Sequence, residues 1–296
     1  MSSGVPIDSS GDAPDSSERN IIFRLEDLAL DPRTQNSAAL LLQDGKRNVS
    51  YRQLHRAVVE VAKQWSMFQI RNDQGMFSVV PSAALDTESA WVIVTCKDPV
   101  NLLLTLLGCW SLGLVPVPLD PSADPSELLK SKLSPRAIFA IHDSDGDALS
   151  PAFQYFEDSK QFQSKYSHRQ NFVAGHQFSN AREFINGTRN DFDTEFSLKA
   201  MLRASQRAVG DKVLLSHGIY TSGTSGKAKL VECSQQQIFN FAEGWVERLR
   251  IAEHSRILWA SRLTFDPCIG DLVSSIFAGA TLCLADRNDL SADLFA

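Results

Sequence analysis

Tyr220-Thr221-Ser222-Gly223-Thr224-Ser225-Gly226-Lys227-Ala228-Lys229 packs hydroxyl side chains, two glycines and two lysines into one short run. Glycine lets backbone N–H groups come close to a ligand, the hydroxyls donate hydrogen bonds, and the ammonium groups add positive charge. Together these suit the oxygens of a polyphosphate. Thr221, Ser222, Gly223, Thr224, Ser225, Gly226, Lys227 and Lys229 are therefore the candidate phosphate-binding residues. Val213-Leu214-Leu215 leads into the run, and Ile238, Phe239, Phe241, Ala242, Trp245, Val246 and Leu249 follow at helical spacing. The expectation is a strand entering a Gly/Ser/Thr loop that opens onto a helix, whose N-terminus adds to the attraction for an anion. A plain polar linker needs neither the lysines nor the apolar flanks. A Walker-type loop has four residues between its glycines and Ser or Thr directly after Lys. Here two residues separate Gly223 from Gly226 and Ala228 follows Lys227, which disfavours a P-loop hydrolase.

A second group with chemical potential is Leu263-Thr264-Phe265-Asp266-Pro267. Asp followed by Pro is a helix-start signal, and Ile269, Leu272, Val273, Ile276 and Phe277 supply a buried stripe behind it, so Asp266 reads as an N-cap. A functional reading stands beside that structural one. A carboxylate in an apolar pocket carries an uncompensated desolvation cost, unless it faces a cation such as a primary ammonium group.

The 220–229 run resembles the phosphate-gripping loop of the adenylate-forming (AMP-binding) superfamily, Y-T-S-G-T-T-G-x-P-K-G-V, which includes acyl-CoA synthetases, luciferases and nonribosomal peptide adenylation domains. Ser225, Ala228 and Leu230 depart from that pattern; Ser225 keeps a hydroxyl, while Ala228 and Leu230 lose a fixed φ and a permissive backbone position. Val49-Ser50-Tyr51-Arg52-Gln53-Leu54 is similar to the family's early L-T-Y-x-E-L segment. Leu107 to Asp120 resembles its helix–Gly–strand segment, and Leu263 to Pro267 resembles the F-D segment of its acyl pocket. The likeness runs from about residue 35 to the end, weakly over 143–205, and is nearest to the β-alanine-activating, acyl-CoA-synthetase-like branch.

The resemblance implies that ATP, with Mg²⁺, activates a carboxylic acid as an acyl-adenylate. The acyl group then passes to the thiol of CoA or of phosphopantetheine on a carrier domain in a longer chain. It places Phe265 and Asp266 in the substrate pocket, with Asp266 facing the ammonium group of an amino acid such as β-alanine. A fatty acyl-CoA synthetase is the alternative, disfavoured because members acting on fatty acids generally lack an Asp there. In the family the adenine loop Y-G-P-T-E, the ribose-binding Asp, the hinge and the catalytic Lys all follow the F-D segment, and none occurs before Ala296. The catalytic Lys is accordingly expected beyond the chain end and the C-terminal subdomain absent. The 296 residues are expected to be an N-terminal part that is inactive alone; a non-catalytic interaction or regulatory fragment is a further alternative.

Composition narrows the remaining classes. A chain of 296 residues with 43% hydrophobic content has enough apolar mass for a substantial core. A net charge of −6 and a pI near 5.5, with no Lys/Arg cluster, argue against a nucleic-acid-binding surface. Cys96, Cys109, Cys233, Cys268 and Cys283 are odd in number and show no zinc-ligand spacing. They read as reduced thiols in a cytoplasmic protein, with no metal site expected. Residues 1–20 read as a disordered acidic, Ser-rich tail with no targeting core. The uncharged stretch Val100 to Leu119 is broken by Asn101, Gly108, Gly113, Pro116 and Pro118, so a buried helix followed by a strand is expected, not a membrane span. Asn186-Gly187-Thr188 matches a glycosylation sequon that a cytosolic chain leaves unused.

The positioning elements follow from periodicity. A hairpin is expected over 38–49 around Asp44-Gly45, then a helix started by a Ser50/Gln53 capping box and carrying Leu54, Val58, Val61, Ala62 and Trp65. A strand at 91–94, a helix at 100–112 and a strand at 114–119 form a right-handed β-α-β unit, continued by a strand at 138–141. Residues 143–205 read as a polar insertion or surface excursion with a helix or two. Strands at 256–260 and 281–285 flank a helix at 268–278 capped by Gly279. The expected fold is α/β, the N-terminal part of an adenylate-forming enzyme. Residues 21–296 form the AMP-binding domain, built from two βα subdomains with mostly parallel sheets, the second incomplete.

Overall fold

The computed structural model describes residues 19–42, 47–66, 69–72, 75–78, 91–96, 98–119, 137–142, 174–177, 196–209, 213–221, 229–262 and 264–284. The tail over 1–18, most of the 143–205 stretch, the sequon and the tip of the 220–229 run lie outside them. In chain order the elements are α1 (Ile21–Leu30), β1 (Ala38–Leu41), β2 (Asn48–Ser50), α2 (Tyr51–Ser66), β3 (Gln69–Asn72), β4 (Gly75–Ser78), β5 (Trp91–Thr95), α3 (Pro99–Ser111), β6 (Val115–Pro118), β7 (Ala137–His142), β8 (Ala174–Gln177), α4 (Leu198–Val209), β9 (Leu215–Thr221), β10 (Lys229–Ser234), α5 (Gln235–Leu249), β11 (Arg256–Leu258), α6 (Asp266–Ala278) and β12 (Thr281–Cys283).

Two four-stranded sheets organise the chain. One, ordered β6-β5-β7-β8, is parallel throughout. The other, ordered β11-β12-β1-β2, is parallel except for the β1–β2 hairpin. Two-stranded antiparallel pairs, β3–β4 and β9–β10, complete the described strands. The mixed α/β architecture with mostly parallel sheets is the expected one. Its sheet assignment has one feature that periodicity does not disclose. The N-terminal hairpin belongs with the C-terminal strands, Leu40 pairing with Leu282. Tyr51, fully buried, seals that junction by donating its hydroxyl to the Ala280 carbonyl at 2.6 Å.

Local signals account for the helices that position the sheets. Ser50 Oγ accepts from Gln53 N at 3.2 Å and Gln53 Oε1 accepts from Ser50 N at 2.8 Å, which closes the predicted capping box of α2. Asp98 caps α3 by accepting from Val100 N and Asn101 N, with Pro99 at the first turn. α3 is buried on every side from Val100 to Ser111, as befits a helix that carries no charge on any face. Gly279 ends α6 with φ 71°, a left-handed conformation that disfavours any side chain. Among the described residues, no helix is long and apolar enough to cross a membrane.

Two expectations need correction. α1 is absent from the sequence-based reading, although Asn20 caps it by accepting from Ile22 N, and Ile21, Ile22, Leu25 and Leu28 carry its buried face. The stretch over 143–205 is not only a surface excursion: β8 extends the parallel sheet, and α4 buries Leu198 and Leu202 completely. An i, i+4 leucine pair on a helix that packs against α1 and α3 is core, whatever the polarity of its surroundings.

Candidate functional site

β9 and β10 form an antiparallel hairpin whose connected end carries the candidate phosphate residues. Thr221 pairs with Lys229, and Thr221 Oγ1 donates to the Lys229 carbonyl at 3.4 Å. Ser222, Gly223, Thr224, Ser225, Gly226 and Lys227 lie in the 222–228 connection, outside the described residues. The connection leads into a strand, not onto a helix. α5 starts only after β10, at a capping box in which Ser234 Oγ accepts from Gln237 N and Gln237 Oε1 accepts from Ser234 N. The helix N-terminus is therefore a strand's length away from the loop, and its dipole does not contribute there. The signal is present in Ser234-Gln235-Gln236-Gln237, a polar cap ahead of the apolar stripe.

β9 is held tightly from behind. Trp110 Nε1 donates to the Ser216 carbonyl at 2.6 Å. At Gly218 an added Cβ would lie 2.7 Å from the Trp91 ring, so only glycine lets the strand approach the first sheet this closely. Next to Gly218, His217 is 2% exposed and pairs across the hairpin with Cys233.

α6 brings Asp266 to the same place. Its N-cap is Phe265, which has an extended backbone and makes no side-chain cap bond. The expectation that Asp266 caps the helix is thus corrected: Asp266 is the first residue of the helix, and Pro267 follows it. Pro267 fixes the first turn without any side-chain cap, which releases the Asp266 carboxylate to point elsewhere. That carboxylate faces His217, Oδ1 lying 3.6 Å from Nε2, with the Asp266 side chain 66% exposed. The His217 ring holds the Asp266 carboxyl below the ordinary carboxylate range, so it is an anion at neutral pH. Phe265 is more than half exposed beside it. One turn further, Gly270 packs beneath the Phe241 ring, which stacks on Trp245. The site therefore presents a carboxylate at the edge of an apolar surface. His217, Ser216 and Cys233 are not anticipated from the sequence; their only signal there is a polar pair set in an otherwise apolar strand.

A family model described as AMP-binding enzyme matches residues 86–296. The nonribosomal peptide synthetase sirP of Leptosphaeria maculans is 22% identical over 257 residues, which is 85% of this chain and 10% of that protein. Among solved structures, the inhibitor-bound N-terminal domain of FACL13 from Mycobacterium tuberculosis superposes with a TM-score of 0.62 at 14% identity, covering 92% of this chain and 59% of the other. The o-succinylbenzoate CoA synthetase MenE from Bacillus subtilis, in complex with its acyl-adenylate intermediate OSB-AMP, gives 0.57 at 18% identity, covering 92% and 58%. The chain thus spans a small fraction of the curated relative and somewhat over half of each structural neighbour.

Proposed function

The chain belongs to the AMP-binding enzyme family, and from that premise we propose that it supplies the N-terminal part of an ATP-dependent ligase that activates a small amino acid, β-alanine or a close analogue, as an acyl-adenylate for transfer to a phosphopantetheine or CoA thiol. Thr221, Lys229 and the 222–227 connection between them receive the ATP phosphates in this reading. Hydroxyl, backbone N–H and ammonium donors at the end of a hairpin fit a polyphosphate. The 220–229 run contains no carboxylate, so it offers Mg²⁺ no direct ligand. Mg²⁺ supplies charge neutralisation when bound, and the run's own contribution is to grip and orient the phosphates. A carrier domain elsewhere in a longer protein is the thiol partner, as the resemblance to peptide synthetases suggests.

The observation that carries the amino-acid reading is Asp266, an exposed, ionised carboxylate set against Phe265 and the Phe241–Trp245 surface. An alkyl chain gains nothing from a carboxylate there, whereas an ammonium group forms a charge-assisted pair with it. The test is binding of two non-hydrolysable sulfamoyl adenosine analogues, one β-alanyl and one propionyl, to the protein extended through the adenine- and ribose-binding segments, measured by calorimetry. The β-alanyl compound is expected to bind roughly 30-fold tighter or more, an advantage of about 2–5 kcal/mol that Asp266→Asn abolishes. Lys229→Ala should weaken ATP binding about tenfold without altering the preference between the two analogues. Equal affinity for the two analogues would instead favour a fatty acyl-CoA synthetase.

A further inference from the structure

His217, Cys233 and Asp266 come from three elements, yet their ligand atoms all lie within 4.8 Å of one another. Ser216 Oγ donates to the Cys233 carbonyl at 3.1 Å and lies 2.7 Å from His217 Nδ1, where it can accept from the ring. In that tautomer Nδ1 carries the hydrogen and Nε2 presents a lone pair to a metal. Nε2 is buried with no hydrogen-bond partner, and the nearby Asp266 Oδ1, at 3.6 Å, is too distant for one. A buried imidazole nitrogen without a hydrogen-bond partner, 3.6 Å from a carboxylate oxygen, is a pair of donors that a shared cation can bridge. The arrangement is also not a relay for nucleophilic catalysis. Such a relay uses both ring nitrogens, one toward the thiol and one toward the carboxylate, and Ser216 already occupies Nδ1.

We propose that His217 Nε2, Cys233 Sγ and Asp266 Oδ1 bind a divalent ion of the zinc class. Imidazole, thiolate and carboxylate are the donors zinc takes, and three protein ligands leave a fourth position for water. Zinc bonds of about 2.0–2.3 Å in tetrahedral geometry separate ligand atoms by about 3.3–3.6 Å, which matches the histidine–aspartate distance. The partly buried Cys233 and exposed Asp266 have the freedom to complete the closure. Ser216 acts as the orienting partner that such a histidine requires. Binding forms the metal–sulfur bond and releases the Cys233 thiol proton to solvent. The ion and a substrate ammonium group exclude each other at Asp266, so metal binding is tested without nucleotide or amino acid.

The test is titration of the chelator-treated 296-residue chain with Zn²⁺ alone, followed by competition with a chromophoric chelator, and with Co²⁺ alone, followed by absorbance. One Zn²⁺ per chain is expected. Co²⁺ is expected to give a thiolate-to-cobalt charge-transfer band in the near ultraviolet. Cys233→Ser should abolish the band, and Cys233→Ser and Asp266→Asn should each weaken Zn²⁺ binding at least about tenfold. Cys283→Ser, a partly buried thiol on another strand, should change neither. Both site variants alter partly buried or exposed side chains, so circular dichroism reports whether they keep the fold even where a His217 variant does not. Absence of stoichiometric binding would overturn the proposal, as would binding unchanged in Cys233→Ser and Asp266→Asn. Failure of the analogue-binding test would leave this result standing, and the reverse.

Discussion

Two histidine–carboxylate pairs in this molecule use the same chemistry in opposite settings. His55 and Glu26 join α2 to α1 at 3.4 Å with both side chains buried, 3% and 6% exposed. The Glu26 carboxylate is saturated there: Ser197 Oγ donates at 2.7 Å and Lys199 N at 3.1 Å, tying the start of α4 to the same point. His217 and Asp266 lie at 3.6 Å with the histidine as deeply buried, but the carboxylate is two-thirds exposed and Nε2 has no hydrogen-bond partner. A carboxylate whose oxygens are all occupied holds helices together. One left open beside an unpaired imidazole is available to an external cation. The difference separates a structural pair from a binding one more clearly than residue type does.

The comparison is broken most forcefully at Glu26. Glu26→Ala leaves His55, Ser197 Oγ and Lys199 N without their acceptor in the core, and should cost roughly 3–5 kcal/mol of unfolding free energy. The denaturant midpoint measures it, with zinc affinity of the correctly folded fraction unchanged. A loss below about 1 kcal/mol would mean that the pair does not tie the helices together.

An effect of intermediate size comes from acid. Burial pushes the Glu26 carboxyl upward, but hydrogen bonds from His55, Ser197 and Lys199 N outweigh it and bring the pKa down to about 2 from an ordinary 4.5. A group depressed in the folded state stabilises above its unfolded pKa, and that contribution fades as pH falls from 4.5 toward 2. The stability gap between the wild-type chain and Glu26→Gln, about 2 kcal/mol at neutral pH, should therefore shrink across that window. A gap that is the same at pH 7 and pH 3 would show that the carboxylate's charge plays no part.

The smallest effect is expected at the open pair. Asp266→Asn should change unfolding free energy by no more than about 0.5 kcal/mol, because the residue makes no cap and its side chain is mostly in water. Thermal unfolding of the metal-free chain measures this. A shift comparable to that of Glu26→Ala would make Asp266 structural as well.

Much of the fold is legible along the chain because its causes are local. The Ser50/Gln53 box, the hairpin over 38–50, the β-α-β unit at β5-α3-β6 and the Gly279 stop all follow from neighbours within a few residues. Reading fails where two local signals compete. Asp266-Pro267 looks like cap and first turn, but the helix begins one residue earlier in register, with Phe265 as the cap. The 220–229 run points to a helix because the apolar stripe of α5 is visible, while the strand Lys229–Ser234, mostly exposed, has little hydrophobic alternation to announce it.

The sequence by itself determined the family, the phosphate-suited composition of the hairpin tip and the placement of most helices, since motif chemistry, capping and periodicity act over a few residues. Only the tertiary structure decided which strands share a sheet, setting β1 beside β12 across the length of the chain. It alone brought His217, Cys233 and Asp266 together. No spacing rule finds three residues so far apart in sequence, because the hairpin register and the packing of α6 against α5 bring them to one point, and both depend on contacts between distant segments.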